Sequence, residues 1–161
     1  KKNIMSFDKI DLVLLDLLQK DISMSVDELA RRVGLTKTPC WRRIQKLERS
    51  GVIKRRVALL DGALLDCNVS VFVQVRTSQH NRRWLEDFSK TVADFPEVAG
   101  FDRMAGEYDY LLRVVVRDIA AYDEFYKRFI EATSLTDVTS NFAMEEIKNS
   151  TEIYLGNLDQ S

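Results

Sequence analysis

The sequence predicts an α+β chain, a basic helical first third followed by an acidic β-α-β-β-α-β unit. Three observations carry that reading. Apolar residues recur at helical spacing between residues 8 and 50. From Val69 the apolar positions alternate instead, as in half-buried strands. Charge divides between the same two parts: residues 1–60 hold 14 Lys/Arg and 7 Asp/Glu, a net of +7, whereas residues 61–161 hold 10 and 18, a net of −8. The whole-chain charge of −1 conceals a polyanion-seeking part joined to one that avoids polyanions.

Bulk properties narrow the class. With 45% hydrophobic and 30% charged residues the composition is that of a soluble globular protein, and 161 residues suffice for one ordinary domain or two small ones. Two prolines and six glycines leave most of the chain free to form regular structure. No apolar run approaches the about 20 residues that cross a bilayer, and Lys1-Lys2-Asn3-Ile4 lacks an apolar leader. A cytoplasmic location without a membrane partner is therefore expected. Cys40 and Cys67 form no CxxC and no His cluster lies near them. They read as free, buried thiols, with neither metal nor cofactor expected.

Taken in order, residues 1–7 read as a loose arm. Ile10, Val13, Leu14, Leu17 and Leu18 then share one face of a helix over Asp8–Lys20. Ser25 and Glu28 make a capping box for a helix over Val26–Val33, burying Val26, Leu29, Ala30 and Val33. Gly34 suits the positive φ that ends it. Thr36 caps a third helix, Pro39 falls in its first turn where a missing N–H costs nothing, and Cys40, Ile44 and Leu47 form its buried stripe up to Gly51. Val52–Leu60 reads as a strand. Val69, Val71, Val73 and Val75 mark the next strand; a helix follows over Arg82–Asp94, then strands over Val98–Met104 and Tyr110–Val116 around the turn Ala105-Gly106-Glu107-Tyr108. Asp118 caps a helix over Ile119–Ala132, and Val138–Ile147 is the last strand before a less ordered tail. This order is the ferredoxin-like split βαβ.

Two short helices around a Gly-containing turn make a helix-turn-helix, whose second helix enters the major groove. Such a helix needs one apolar stripe and a cationic remainder, here Lys37, Thr38, Arg42, Arg43, Gln45, Lys46 and Arg49. Between Arg31 and Arg56 there are ten Lys/Arg and one acid, Glu48, which favours double-stranded DNA as a partner. Position assigns base edges to Lys37, Thr38 and Arg42, and phosphates to Arg43, Lys46 and Arg49. Ser25, at the start of the preceding helix, joins the candidates. Lys54, Arg55 and Arg56 lie where a winged variant sets its wing against the backbone, so the first domain reads as a winged helix-turn-helix. Trp41 either touches a thymine or sugar or packs inside. Any single cation read alone is a solvated charge; the agreement of caps, turn, stripe and charge carries the argument.

Ser25-Val26-Asp27-Glu28-Leu29-Ala30, Val33-Gly34-Leu35-Thr36, Thr38-Pro39-Cys40-Trp41-Arg42-Arg43-Ile44, Leu47-Glu48 and Gly51-Val52-Ile53 together resemble the Lrp/AsnC, or feast/famine, regulators. Gly106-Glu107-Tyr108-Asp109-Tyr110-Leu111-Leu112 resembles the turn motif of that family's effector domain. Residues 104–110 and 122–128 are most similar to the subgroup regulating cysteine detoxification. The resemblance implies a transcriptional regulator, homodimers assembling into tetramers or octamers, and a small amino-acid effector, cysteine first. It implies effector contacts at Met104, Gly106, Glu107, Tyr108 and Asp109 and at Thr139 and Ser140 of the last strand. Backbone N–H groups of such a turn can hold a carboxylate, and an acid can hold the α-ammonium; equally, Gly106 can serve only a tight turn and Asp109 only its cap. The domains are then 1–60 for DNA, 61–68 as hinge and 69–161 for effector sensing and assembly. Asp61-Gly62 departs from the Asp-Pro or Asn-Pro of many relatives, which predicts a looser hinge.

An enzyme is the rival class. His80 is the only histidine, and no P-loop, GxGxxG or HExxH is present, so no catalytic residue is assigned. A stand-alone amino-acid-binding or oligomerisation module with a vestigial DNA reader is the other alternative, and the ten cations between Arg31 and Arg56 argue against it.

Overall fold

A computed structural model describes residues 6–79, 81–133 and 135–156. The expectations placed on residues 1–5, on His80 and on residues 157–161 lie outside them. The chain divides into two compact units: residues up to Leu59 with those from Lys148 on, and Leu60–Ile147.

The first unit contains α1 (Lys9–Lys20), α2 (Val26–Arg32) and α3 (Lys37–Ser50). The helices start where the sequence offers oxygen acceptors to their unpaired N–H groups. The full capping box, however, is on α1, where Asp8 and Asp11 exchange bonds. At α2 only half of the expected box forms. The Glu28 N–H donates to Ser25 Oγ at 3.2 Å, while the Glu28 carboxylate accepts from Arg32 at 3.0 Å. Thr36 caps α3 by position, without a side-chain bond. Gly34 has φ +69°, a conformation costly for any side chain with a Cβ, and this lets Leu35 donate back to the Ala30 carbonyl at 2.9 Å. Leu14, Leu18, Leu29, Ala30, Cys40, Ile44 and Leu47 form the buried core. Val13, expected inside, is 39% exposed, so the α1 stripe is narrower than its periodicity suggests.

The strand expected over Val52–Leu60 is absent. Ile53 is half-buried and its neighbours are exposed, and none of these residues joins a ladder with another described residue. Strand propensity yields a strand only where a second backbone supplies the hydrogen bonds. The tail also departs from expectation. It groups with the first unit, and the Gln19 amide donates to the Ile153 carbonyl at 2.9 Å while accepting from the Ile153 N–H at 2.8 Å.

The second unit holds β1 (Val69–Arg76), α4 (Arg82–Ala93), β2 (Val98–Arg103), β3 (Tyr110–Val116), α5 (Ile119–Ala132) and β4 (Asp137–Phe142). The strands form one antiparallel sheet in the order β2-β3-β1-β4, the ferredoxin-like arrangement. Val71, Val73 and Val75 of β1 and Leu112 and Val114 of β3 pack with Phe88, Val92, Phe125 and Phe129 of the two helices. Period-two alternation sends Ser70, Phe72 and Gln74 to the opposite face. β4 ends at Phe142, not Ile147, because its pairing with β1 runs only to Val71↔Phe142. Apolar Met144 and Ile147 beyond it are exposed.

Two further expectations are corrected. Gly62 does not loosen its segment: its carbonyl accepts from Leu65 N at 3.2 Å and Cys67 N at 2.8 Å, closing a turn around a short 3-10 segment at Ala63–Leu65. A Cβ there would lie 2.7 Å from the Cys67 carbonyl oxygen, so close approach of backbone, not freedom, is what this glycine permits. Of the cysteines only Cys40 is buried; Cys67 is exposed.

Candidate nucleic-acid interface and effector turn

On α3 the helical period places Thr38, Arg42, Gln45, Lys46 and Arg49 opposite the buried stripe of Cys40, Ile44 and Leu47. Arg42, Lys46 and Arg49 are exposed and, among the described residues, enter no ion pair. Trp41, at the edge of this face, is 49% exposed, so its ring is only half covered by its own unit. This face offers cations, a hydroxyl, an amide and an aromatic ring on one rigid element, the chemistry that phosphates and base edges demand.

Other predicted residues have partners at home. Arg43 turns toward α1 and donates to Asp8 at 2.6 Å and Asp11 at 2.7 Å. Both carboxylates favour the charged guanidinium, so its pKa rises. The Asp8 carboxyl is held below its usual value, first by the Asp11 N–H and then by Arg43. Lys37 pairs with Asp27 at 2.8 Å across the turn between α2 and α3. Glu48 accepts from Gln45 at 2.9 Å and from Arg56 at 2.6 Å, so the one acid of the cationic stretch is neutralised by its neighbours. Ser25 spends its acceptor on the α2 cap. Lys54 and Arg55 are exposed on the strandless segment.

The turn between β2 and β3 is fastened to the end of β1. The Met104 N–H donates to the Asp109 carbonyl at 2.8 Å, and the Asp109 N–H to the Val75 carbonyl at 2.9 Å. The Asp109 carboxylate accepts the Thr77 N–H at 2.8 Å. Gly106 has φ +157° with open space where a Cβ would project. Thr139 and Ser140 face opposite sides of the sheet: Thr139 is opposite Gln74, whereas Ser140 is on the helix side, with its hydroxyl 2.5 Å from Tyr122 Oη. Burial pushes the Tyr122 phenol up, and the bond to Ser140 acts the other way. A cleft of about 260 Å³ beside the turn is lined by Asn81, Arg82, Leu85, Arg103, Met104, Asp109 and Tyr110. A larger one, about 840 Å³, lies between α1 and the tail; of the expected effector residues, Met104 and Asp109 line the smaller cleft and none lines the larger.

Sequence reading missed Arg76. Its Nε donates to the Glu107 carbonyl at 3.0 Å, its Nη2 to the Glu107 carboxylate at 2.6 Å, and its guanidinium lies 5.0 Å from the Tyr108 ring centroid. Nothing in the local pattern links positions 31 residues apart; an arginine ending an alternating strand was the only signal. Among the described residues no group of three or more His, Cys, Asp or Glu could hold a metal ion, and no helix is long and apolar enough to cross a membrane.

A helix-turn-helix with a cationic outer face, joined to an α+β unit with a fastened turn, defines the class of DNA-binding regulators with a separate ligand domain. Comparison agrees. The family described as "Lrp/AsnC ligand binding domain" matches residues 70–153, and "Winged helix-turn-helix DNA-binding" matches residues 7–54. The chain is 50% identical over 147 residues to the DNA-binding transcriptional activator DecR of Escherichia coli (strain K12), covering 91% of this chain and 97% of that protein. It is similar to an AsnC family transcriptional regulator from Agrobacterium tumefaciens, at 56% identity and TM-score 0.90 over 92% of this chain and 97% of the other. It also matches the Neisseria meningitidis transcriptional regulator NMB0573, solved as its L-Met complex, at 31% identity and TM-score 0.89 over 94% and 99% of the two chains. The protein belongs to the Lrp/AsnC family of DNA-binding transcriptional regulators.

Proposed function

We propose that this regulator reads a specific duplex sequence with α3 and adjusts its activity to a free amino acid held at the β2–β3 turn. The observation that carries the DNA reading is the outer face of α3, where Arg42, Lys46 and Arg49 stand exposed on a helix whose other side is buried. Residues 1–60 serve DNA, 61–68 the hinge, and 69–161 sensing and assembly, with the tail as the part of the last segment that returns to the first unit. The L-Met complex of NMB0573 supports an amino acid as the effector class. Likeness of residues 104–110 and 122–128 to the cysteine-detoxification subgroup makes L-cysteine the first to test. A homodimer, assembling further to a tetramer or octamer, is what the family resemblance implies; the sheet face opposite the helices, where Phe72 is 40% exposed beside half-buried Leu111 and Val115, supports the dimer. The site of action is the cytoplasm, with the DNA.

The test is selection from a random duplex library, then titration of the selected duplex against salt. Affinity falls steeply with salt as bound cations displace counterions. Arg42→Ala relaxes base preference at a cost of about 1–3 kcal/mol, whereas Lys46→Ala weakens all sequences alike and lowers the salt slope by about one. Failure to bind any duplex at low salt overturns the reading.

A further inference from the structure

Glu48 is the one acid between Arg31 and Arg56, and both of its carboxylate oxygens are in use. Oε2 accepts from the Gln45 amide at 2.9 Å, one turn earlier on α3. Oε1 accepts from Arg56 twice, from Nη2 at 2.6 Å and from Nε at 3.1 Å. The Glu48 and Arg56 side chains are 30% and 49% exposed. An ion pair this open to water adds little stability; what it fixes is orientation. Gly51, at φ +80°, turns the chain out of α3, and residues 52–56 join no sheet among the described residues. Ile53 packs against the core of the first unit. Among the described residues, the hydrogen bonds that tie residues 52–56 to α3 are those of Arg56 to Glu48 and that of the Val52 N–H to Ser50 Oγ at 3.3 Å. The wing cations therefore take their place from the reading helix and its core, not from a strand ladder.

We infer that Glu48 is a positioning residue for DNA reading: one oxygen sets the Gln45 amide and the other holds Arg56, so that the recognition helix and the wing meet the duplex as one piece. A carboxylate only accepts, so the amide turns its NH2 group toward Glu48. The Gln45 carbonyl oxygen, which accepts from no described residue, is left for a base edge. In the major groove the amino groups of adenine and cytosine are the donors that suit it. Arg56 keeps Nη1 for a phosphate, because Glu48 engages only Nε and Nη2 of the guanidinium. An acid beside the reading face repels every duplex alike. Glu48 thus lowers affinity for all DNA, and the loss is offset where the bound sequence matches the fixed amide. Its contribution is selectivity, not strength. The inference rests on the α3 reading above and adds Glu48, which acts through Gln45 and Arg56.

Affinities of the full chain for its selected duplex and for a scrambled duplex, measured at one salt concentration, test it. In Glu48→Ala, binding to the scrambled duplex is expected to tighten, because a repelling charge has gone. Preference for the selected over the scrambled duplex is expected to fall by about tenfold, the size of one base contact. The same substitution made in Gln45→Ala is expected to change that preference by less than about twofold, because the amide it positions is absent. Arg56→Ala weakens both duplexes, and by less in Glu48→Ala, where the arginine is no longer held. Because preference is a ratio within one protein, a partly unfolded variant does not distort it. Should Glu48→Ala not fold, Glu48→Gln, of the same size but with one accepting oxygen for two partners, lowers the preference in the same direction. A preference unchanged by both substitutions makes Glu48 a bare surface charge and overturns the inference. So does a loss of preference that is as large without the Gln45 amide, or an Arg56→Ala effect that is the same with and without Glu48. All three outcomes leave reading by α3 standing. If the unmodified protein prefers no duplex, the α3 reading itself falls, and this inference with it.

Discussion

Arg43 of α3 donates at 2.7 Å to Asp11 of α1, a carboxylate only 6% exposed. A buried carboxylate is tolerable only when paired, so this contact fixes the reading helix against the helix beneath it. Arg43 and Arg42 are neighbours in sequence with opposite destinations, one into its own unit and one to solvent.

That difference separates stability from DNA affinity. Arg43→Met strands the Asp11 charge and is expected to cost about 3 kcal/mol of unfolding free energy. Arg42→Ala is expected to change stability by less than about 0.5 kcal/mol. Urea unfolding of the two variants checks this. Equal stabilities would show that Asp11 finds another partner and that Arg43 is free for phosphate.

Acid should loosen the first unit. Asp8 has a folded pKa below its usual 3.8, through the Asp11 N–H and Arg43; Asp16, held by Lys20, and Asp21, held by Ser23, shift in the same direction. A depressed carboxyl pKa contributes stability that is present above the unfolded value and is lost as pH falls through the folded one. Unfolding free energy is therefore expected to decline from roughly pH 4 downward, and Asp8→Asn to flatten that decline. Urea titrations at stepped pH measure both, and an unchanged slope in Asp8→Asn would remove Asp8 from the account.

The two thiols should react in turn. Cys40 is buried, and burial pushes its thiol pKa up; Cys67 is exposed. An aromatic disulfide reagent is expected to modify Cys67 at once, and Cys40 about a hundredfold more slowly, limited by opening of the core. Cys67→Ser removes the fast phase. Persistence of that phase would place Cys40 within reach of solvent.

Gly62 should resist substitution for a steric reason. An added Cβ meets the Cys67 carbonyl at 2.7 Å, and that atom is backbone, which cannot swing aside. Gly62→Ala is expected to cost about 1–3 kcal/mol. Thermal unfolding decides it, and an alanine variant as stable as the parent would mean that the turn simply widens.

The amino-acid sequence by itself determined what lies within one helical turn or one strand alternation. The caps at Ser25 and Asp118, the buried stripe Cys40-Ile44-Leu47, the positive φ of Gly34 and the alternation of β1 all express forces acting between residues a few positions apart. Charge segregation and the paired motifs named the family on the same local terms. Tertiary structure decided what depends on a distant partner. Asp11 and Arg43 are 32 residues apart and Arg76 and Glu107 are 31, so no local pattern announces that Arg43 is spent inside its unit or that Arg76 pairs with Glu107 of the turn. Strand boundaries follow the same logic: β4 is a strand where it pairs with β1, from Asp137 to Phe142, and Val52–Leu60, with apolar and β-branched residues but no pairing strand among the described residues, forms none. Propensity acts along the chain, whereas hydrogen-bond ladders and ion pairs are completed across space.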